Sequence, residues 1–181
     1  MARVLVPLAE GCEELEAVTV IDLLRRANIE VITAGLETGP IKASRGVVLQ
    51  ADTSLDEALQ NDYDMVVLPG GGPGSERLDA DDRIRQLLLK MANSEKYTAA
   101  ICAATRVLNN AGLLEGKRAT CYPGALSNED LPGLNTEQRV VRDGKVVTSR
   151  GPGTAMDFAL QLIELLADRQ TRDQVEAGLV R

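Results

Sequence analysis

The feature that most restricts this chain is the run Val4-Leu5-Val6-Pro7-Leu8, apolar at every position. A strand with one wet face alternates apolar and polar residues, so a run with no polar position belongs in a sheet covered on both faces. Glu13–Ala27 follows, with Leu15, Val18, Ile21, Leu23 and Leu24 at helical spacing, and then the strand-like stretch Ile29–Ala34. Strand, helix and strand in that order form a unit whose strands run parallel. The alternation continues through a strand at Tyr63–Pro69, a helix at Asp81–Ala92, a strand at Tyr97–Ile101 and a helix over Ala103–Leu114. Arg118–Cys121 and Glu137–Val141 read as further strands, and Thr154–Ala167 as the last long helix. The expected fold is α/β: a three-layer sandwich with a mostly parallel central sheet, formed as one domain over residues 1–181.

Smaller signals fill the connections. Pro40–Gln50 reads as a hairpin turning at Arg45-Gly46, and Asp143-Gly144 as the turn of a second hairpin. Ser54 and Glu57 fit a capping box, and Thr154 fits an N-cap after Gly151-Pro152-Gly153. Thr171–Arg181 has room for one more small helix.

What the chain lacks narrows its chemistry. It has no His, which removes Ser-His-Asp and Cys-His triads and imidazole-based metal sites. Aromatic residues are 2% of the chain, too few for a base-stacking platform, and the net charge of -7 disfavours a general polyanion binder. Cys12, Cys102 and Cys121 are an odd set at irregular spacing, neither a disulfide framework nor a zinc knuckle, and they suit the reducing cytosol. Charged residues interrupt the N-terminus after six or seven apolar positions, so the expectation is neither a signal peptide nor a membrane span. No cofactor or metal is indicated.

In an open α/β sheet, ligands collect beyond the carboxyl ends of the strands. Three segments should converge there: Gly70-Gly71-Gly72, Cys102, and Gly151-Pro152-Gly153. Cys102 stands between an apolar strand and the small residues Ala103-Ala104-Thr105, the setting of a nucleophile elbow. A helix N-terminus behind it would lower the thiol pKa, and the N–H groups of Gly71 and Ala103 could hold an oxyanion. The plain alternative is a buried cysteine packing as a small hydrophobe. Glu13, Glu14 and Glu16 lie where the first strand meets the first helix, and spacing does not choose which one enters the cleft. The glycines from Gly70 to Gly74 lack the Lys of a phosphate-binding loop and suit close backbone approach. Arg150 is either an anion ligand or the partner of one of the many acids.

With these residues in view, the chain resembles the ThiJ/PfpI superfamily, in the branch of the human parkinsonism-associated protein and its bacterial relatives. The matching segments are Ala9-Glu10-Gly11-Cys12-Glu13-Glu14-Leu15-Glu16, Ser44-Arg45-Gly46, Val67-Leu68-Pro69-Gly70-Gly71, Ala99-Ala100-Ile101-Cys102-Ala103 and Thr148-Ser149-Arg150-Gly151-Pro152-Gly153-Thr154. The resemblance implies a flavodoxin-like sandwich, a homodimer, and a reactive Cys102 near the dimer interface. It also implies that Glu16 is protonated against the sulfur, that Gly71 and Ala103 supply backbone donors, and that Arg45, Gly70, Arg150, Gly151 and Thr154 support the site; Ala104-Thr105-Arg106 departs from the common family pattern, and Arg106 there either helps bind an anion or lies along the helix surface. Where some members have a His, this chain has Tyr122, a weak base at neutral pH, which puts a peptidase or amidase mechanism in doubt. The implied activity is that of a glutathione-independent glyoxalase or a deglycase, acting on small reactive carbonyls or glycated amines. The competing readings are a redox-responsive stress-protective protein or chaperone with an oxidisable cysteine, and a structural dimer whose site has decayed. Neither a membrane nor nucleic acid, other than as a glycated substrate, is an expected partner.

Overall fold

A computed structural model describes residues 1–181. The apolar runs become β1 (Arg3–Leu8), β2 (Glu30–Gly35), β6 (Met65–Leu68) and β7 (Tyr97–Ile101). With β5 (Thr53–Ser54), β8 (Val140–Asp143) and β9 (Val146–Ser149) they form one sheet in the order β5-β2-β1-β6-β7-β9-β8. Every neighbouring pair in that sheet is parallel except β8 with β9, which close the hairpin expected at Asp143-Gly144, where Gly144 takes φ +61°. The excursion near Arg45-Gly46 is also a hairpin, made of β3 (Ile41–Lys42) and β4 (Val48–Leu49).

Both faces of the sheet are covered, as the apolar runs require. Val4, Val6, Leu8, Met65, Val67, Ala99 and Ile101 pack on one side with α1 (Glu14–Arg26) and α6 (Ala155–Leu166). Leu5, Val66, Leu68 and Ala100 pack on the other with α4 (Asp82–Asn93), α5 (Thr105–Asn110) and Leu78 of α3 (Gly72–Ala80). Each fully buried Leu, Ile or Phe in these layers contributes roughly 1.5–3 kcal/mol of transfer free energy. Ser54 caps α2 (Leu55–Ala58) by accepting the Glu57 N–H at 3.3 Å, as its spacing predicts. Asp168 does the same for α7 (Arg169–Gly178) by accepting the Thr171 N–H at 2.7 Å.

The structure departs from several sequence expectations. The buried stripe of α1 is Ala17, Val20, Leu23 and Leu24, while Leu15 and Val18 are 49% and 46% exposed; two apolar stripes coexist on this helix, and only one meets the sheet. Gly72-Pro73-Gly74 is the first turn of α3, with Pro73 where its missing N–H costs nothing. The helix expected over Ala103–Leu114 is a single 3-10 turn, Cys102–Ala104, followed by the six-residue α5. Arg118–Cys121 joins no strand and contributes only an isolated bridge from Ala119 to Leu134, and the strand expected at Glu137 begins at Val140. Thr154 does not cap α6 through its side chain; its hydroxyl turns back to Ser149 Oγ at 2.7 Å and accepts the Gly151 N–H at 3.1 Å.

Candidate active site

The carboxyl ends of β1, β6, β7 and β9 bring together the beginning of α1, the Gly70-Gly71 turn, Cys102 and the Ser149–Gly153 loop. β7 ends at Ile101, and the next residue turns sharply: Cys102 takes φ +65°. That left-handed conformation is disfavoured for a residue with a β-carbon, and it is the bend a nucleophile elbow needs. The N–H groups of Gly71 and Ala103, the oxyanion donors expected from the sequence, are near enough to favour the ionised thiol.

Of the three candidate acids, Glu16 is the one turned inward. It is 0% exposed, its Oε2 accepts the Gly70 N–H at 2.8 Å, and its carboxyl meets the Cys102 thiol. Its Oε1 is buried with no hydrogen-bond partner. An unpartnered buried carboxyl oxygen disfavours the ionised form. Gly70 must be glycine here, because a β-carbon would lie 2.5 Å from Glu16 Oε2 and 2.6 Å from Cys102 Cβ. Glu13 and Glu14 instead bind the hairpin loop: Ser44 Oγ lies 2.7 Å from Glu13 Oε2 and 2.9 Å from Glu14 Oε2, and the Arg45 N–H donates to Glu14 Oε1 at 2.8 Å.

The electrostatics follow from burial. Desolvation pushes Glu16 up to about 7, against the pull of the Gly70 N–H and the thiol contact, with the Glu13 charge adding to the rise. Cys102 is raised to about 12, by desolvation first and the Glu16 charge second, with the Ala103 and Gly71 N–H groups pulling the other way. This reverses the sequence expectation of a lowered thiol. The helix behind the elbow is too short to offset a cysteine that is only 8% exposed. Acid and thiol therefore behave as a coupled pair that holds two protons in acid and one above neutrality.

The remaining expected residues sit at different distances from this pair. Tyr122 is half exposed, donates its N–H to the Cys102 carbonyl at 3.3 Å, and lays its ring 3.2 Å from where a β-carbon on Gly151 would stand. Arg150 donates its N–H to the Arg139 carbonyl, and its charge acts on Cys121. Arg106 faces Glu76 at 4.0 Å on the surface, and the Arg45 side chain is exposed. Burial raises both other thiols, Cys12 to about 11. A separate cavity of about 410 Å³ opens beyond β1 and β2, lined by Leu8, Glu10, Leu36, Arg77 and Arg83 among others, and it includes none of the expected site residues. Sequence reasoning missed Gly11, whose carbonyl accepts the Gly74 N–H at 3.2 Å and whose φ of +81° folds it onto α3; a glycine between a strand and a helix was the available signal.

Comparison with known proteins assigns the chain to a family. The DJ-1/PfpI family model matches residues 2–165. The chain belongs to the DJ-1/PfpI family. It is 40% identical to the zebrafish (Danio rerio) Parkinson disease protein 7 homolog, covering 98% of this chain and 96% of that protein. It is 44% identical to Arabidopsis thaliana protein DJ-1 homolog B over 93% of its length, but spans only 39% of that longer relative. The crystal structure of Drosophila melanogaster DJ-1beta superposes with a TM-score of 0.94 at 40% identity, covering 99% of this chain and 97% of the other. A Caenorhabditis elegans DJ-1 relative, 34% identical over 91% of this chain and 88% of its own, is named a glutathione-independent glyoxalase. This member of the DJ-1/PfpI family sets Glu16 beside Cys102 without a His anywhere in the molecule.

Proposed function

We propose that this protein is a cysteine-dependent, glutathione-independent glyoxalase that converts methylglyoxal or glyoxal to the 2-hydroxy acid, and that early adducts of these aldehydes with amines and thiols share the site. The observation that carries this reading is a fully buried acid, raised to about 7, set beside a cysteine at the φ +65° bend, with the Gly71 and Ala103 N–H groups favouring the ionised sulfur. Above neutrality the pair's one proton rests on the thiol, the weaker acid; as sulfur approaches the aldehyde that proton passes to the Glu16 carboxylate, and sulfur is the nucleophile. Sulfur bonds to the aldehyde carbon, the carbonyl π pair moves to oxygen, and that oxygen takes the Glu16 proton. The resulting carboxylate removes the hydrogen from the carbon now bonded to sulfur, leaving an enediolate. The hydroxyl proton passes to the second oxygen, and Glu16 returns its proton to the second carbon, giving a thioester of the 2-hydroxy acid. Water then adds to the thioester carbonyl and the carbon–sulfur bond breaks. Sulfur leaves as thiolate and Glu16 regains the proton released by the acid. No redox partner is consumed. Glu16 is the proton carrier at each step, and a carboxyl raised toward neutrality suits that task.

The test is lactate formation from methylglyoxal by wild type and Cys102→Ser, with circular dichroism to check folding. A folded variant that retains the full rate removes Cys102 from the reaction. A second reading, a redox-responsive protective protein, is supported by the same two N–H groups and acid, which would also hold the oxygens of a sulfinate. Intact mass after limited peroxide is expected to rise by two oxygens at Cys102; modification confined to Cys12 or Cys121 would exclude it. The exposed Leu15 and Val18 on α1, Val47 and Val48 on the hairpin, and Met156 on α6 support a homodimer. Three free thiols suit a cytoplasmic setting.

A further inference from the structure

Residues 111–139 contain no regular helix or strand, yet they deliver Tyr122 to the back of Cys102. The attachment of this stretch at Thr120 is unusual. Thr105, Thr120 and Thr148 are each 0% exposed. The Thr120 N–H donates to Thr148 Oγ1 at 2.9 Å, and the Thr120 carbonyl accepts from Thr105 Oγ1 at 3.0 Å. Both main-chain groups of one residue are thus taken by hydroxyls from two different elements, β9 and α5. The Thr120 hydroxyl itself is buried without a partner, so its backbone is what is being held. Thr148 lies on a strand whose preceding residues are Val146 and Val147, where a valine would fill the same space, so the hydroxyl has this bond as its use.

Two residues beyond the clamp, the Tyr122 N–H meets the Cys102 carbonyl. That carbonyl belongs to the residue at φ +65°, whose peptide orientation decides where its sulfur lies relative to the Gly71 and Ala103 N–H groups. We propose that Thr148 and Thr105 are positioning residues for Cys102: by gripping Thr120 from two sides they keep the Tyr122 N–H on the elbow carbonyl and hold the sulfur against its donors. Any consequence for turnover rests on the glyoxalase reading, whereas the consequence for the thiol does not.

The deciding experiment follows alkylation of Cys102 by iodoacetamide across pH, read by mass spectrometry of the Cys102 peptide, in Thr148→Val, Thr148→Ser and wild type. Thr148→Val keeps the volume and removes the acceptor; its profile is expected to move by about half a pH unit, with roughly a threefold change in rate at neutral pH. Thr148→Ser keeps the acceptor and should restore the wild-type profile, which a merely space-filling role would not require. A folded Thr148→Val with the wild-type profile, or a Thr148→Ser that behaves like Thr148→Val, overturns the proposal. Should Thr148→Val not fold, Thr148→Ala is compared by amide hydrogen exchange at Thr120 and Tyr122. Faster exchange at both is expected, and unchanged exchange counts against the clamp. A wild-type protein that makes no lactate would end the glyoxalase reading while leaving this comparison intact.

Discussion

Glu14 and Glu16 stand two residues apart on the first turn of α1, both buried, and they titrate in opposite directions. Burial acts to raise both. Around Glu14 the N–H groups of Arg45 and Val47 and the Ser44 hydroxyl outweigh it, and the acid ends below its ordinary range. Around Glu16 there is one N–H, from Gly70, and a thiol, and burial wins. Burial alone therefore does not decide a carboxyl's role; the number of donors that reach it does. One acid is a fixed charge that ties the hairpin loop to α1, and the other is a proton reservoir.

Glu16→Gln should break this contrast most severely. It keeps the Gly70 hydrogen bond and loses the transferable proton, so lactate formation is expected to fall by about 100-fold or more, with folding retained. The same variant sharpens the electrostatic half of the comparison. Because Glu16 is raised in the fold, its contribution to stability is full below about pH 4.5 and declines as pH rises through about 7. Urea titrations of wild type should therefore lose roughly 3 kcal/mol relative to Glu16→Gln across that window. Gly70→Ala drives a methyl into both partners of the pair; a loss of about 1–3 kcal/mol in chemical denaturation is expected, with a matching loss of activity. Glu14→Gln removes the fixed charge. Its effect should be a Tm lower by roughly 2–4 °C at pH 7 that vanishes as pH falls through the Glu14 pKa, since a depressed acid stabilises only while ionised. Arg106→Ala should leave both kinetics and Tm essentially unchanged, since its 4.0 Å pairing with Glu76 is solvent-exposed.

The strands were legible because a two-sided sheet imposes apolar residues at consecutive positions, and no other demand on Val4–Leu8 competes with that. The elbow was legible for a related reason: few settings place a cysteine between an apolar strand and a run of small residues. The orientation of α1 was not, because Leu15 and Val18 have the same helical spacing as the residues that do face the sheet, and periodicity cannot say which of two stripes a neighbour will cover. Spacing could not separate Glu16 from Glu13 and Glu14 for the same reason, and only the family resemblance singled it out; the choice depends on Gly70 and Cys102, more than fifty residues away in the chain. The direction of the Cys102 shift was misread because the helix behind it was expected to be longer than it is; a short helix has a weak dipole, whereas desolvation is undiminished. The grip of Thr105 and Thr148 on Thr120 left no sequence signal, since it joins side chains of α5 and β9 to the backbone of an irregular stretch that shares no local pattern with either.

The left-handed backbone at Cys102 has one last implication. Glycine would occupy that bend without steric penalty, whereas any residue with a β-carbon gives up about 1–2 kcal/mol there. Folding by itself would favour an empty position at this corner. A sulfur atom held there against the local preference of the chain is a place where the molecule is less stable than its own architecture permits, and its loss would be felt in reactivity before it was felt in melting temperature.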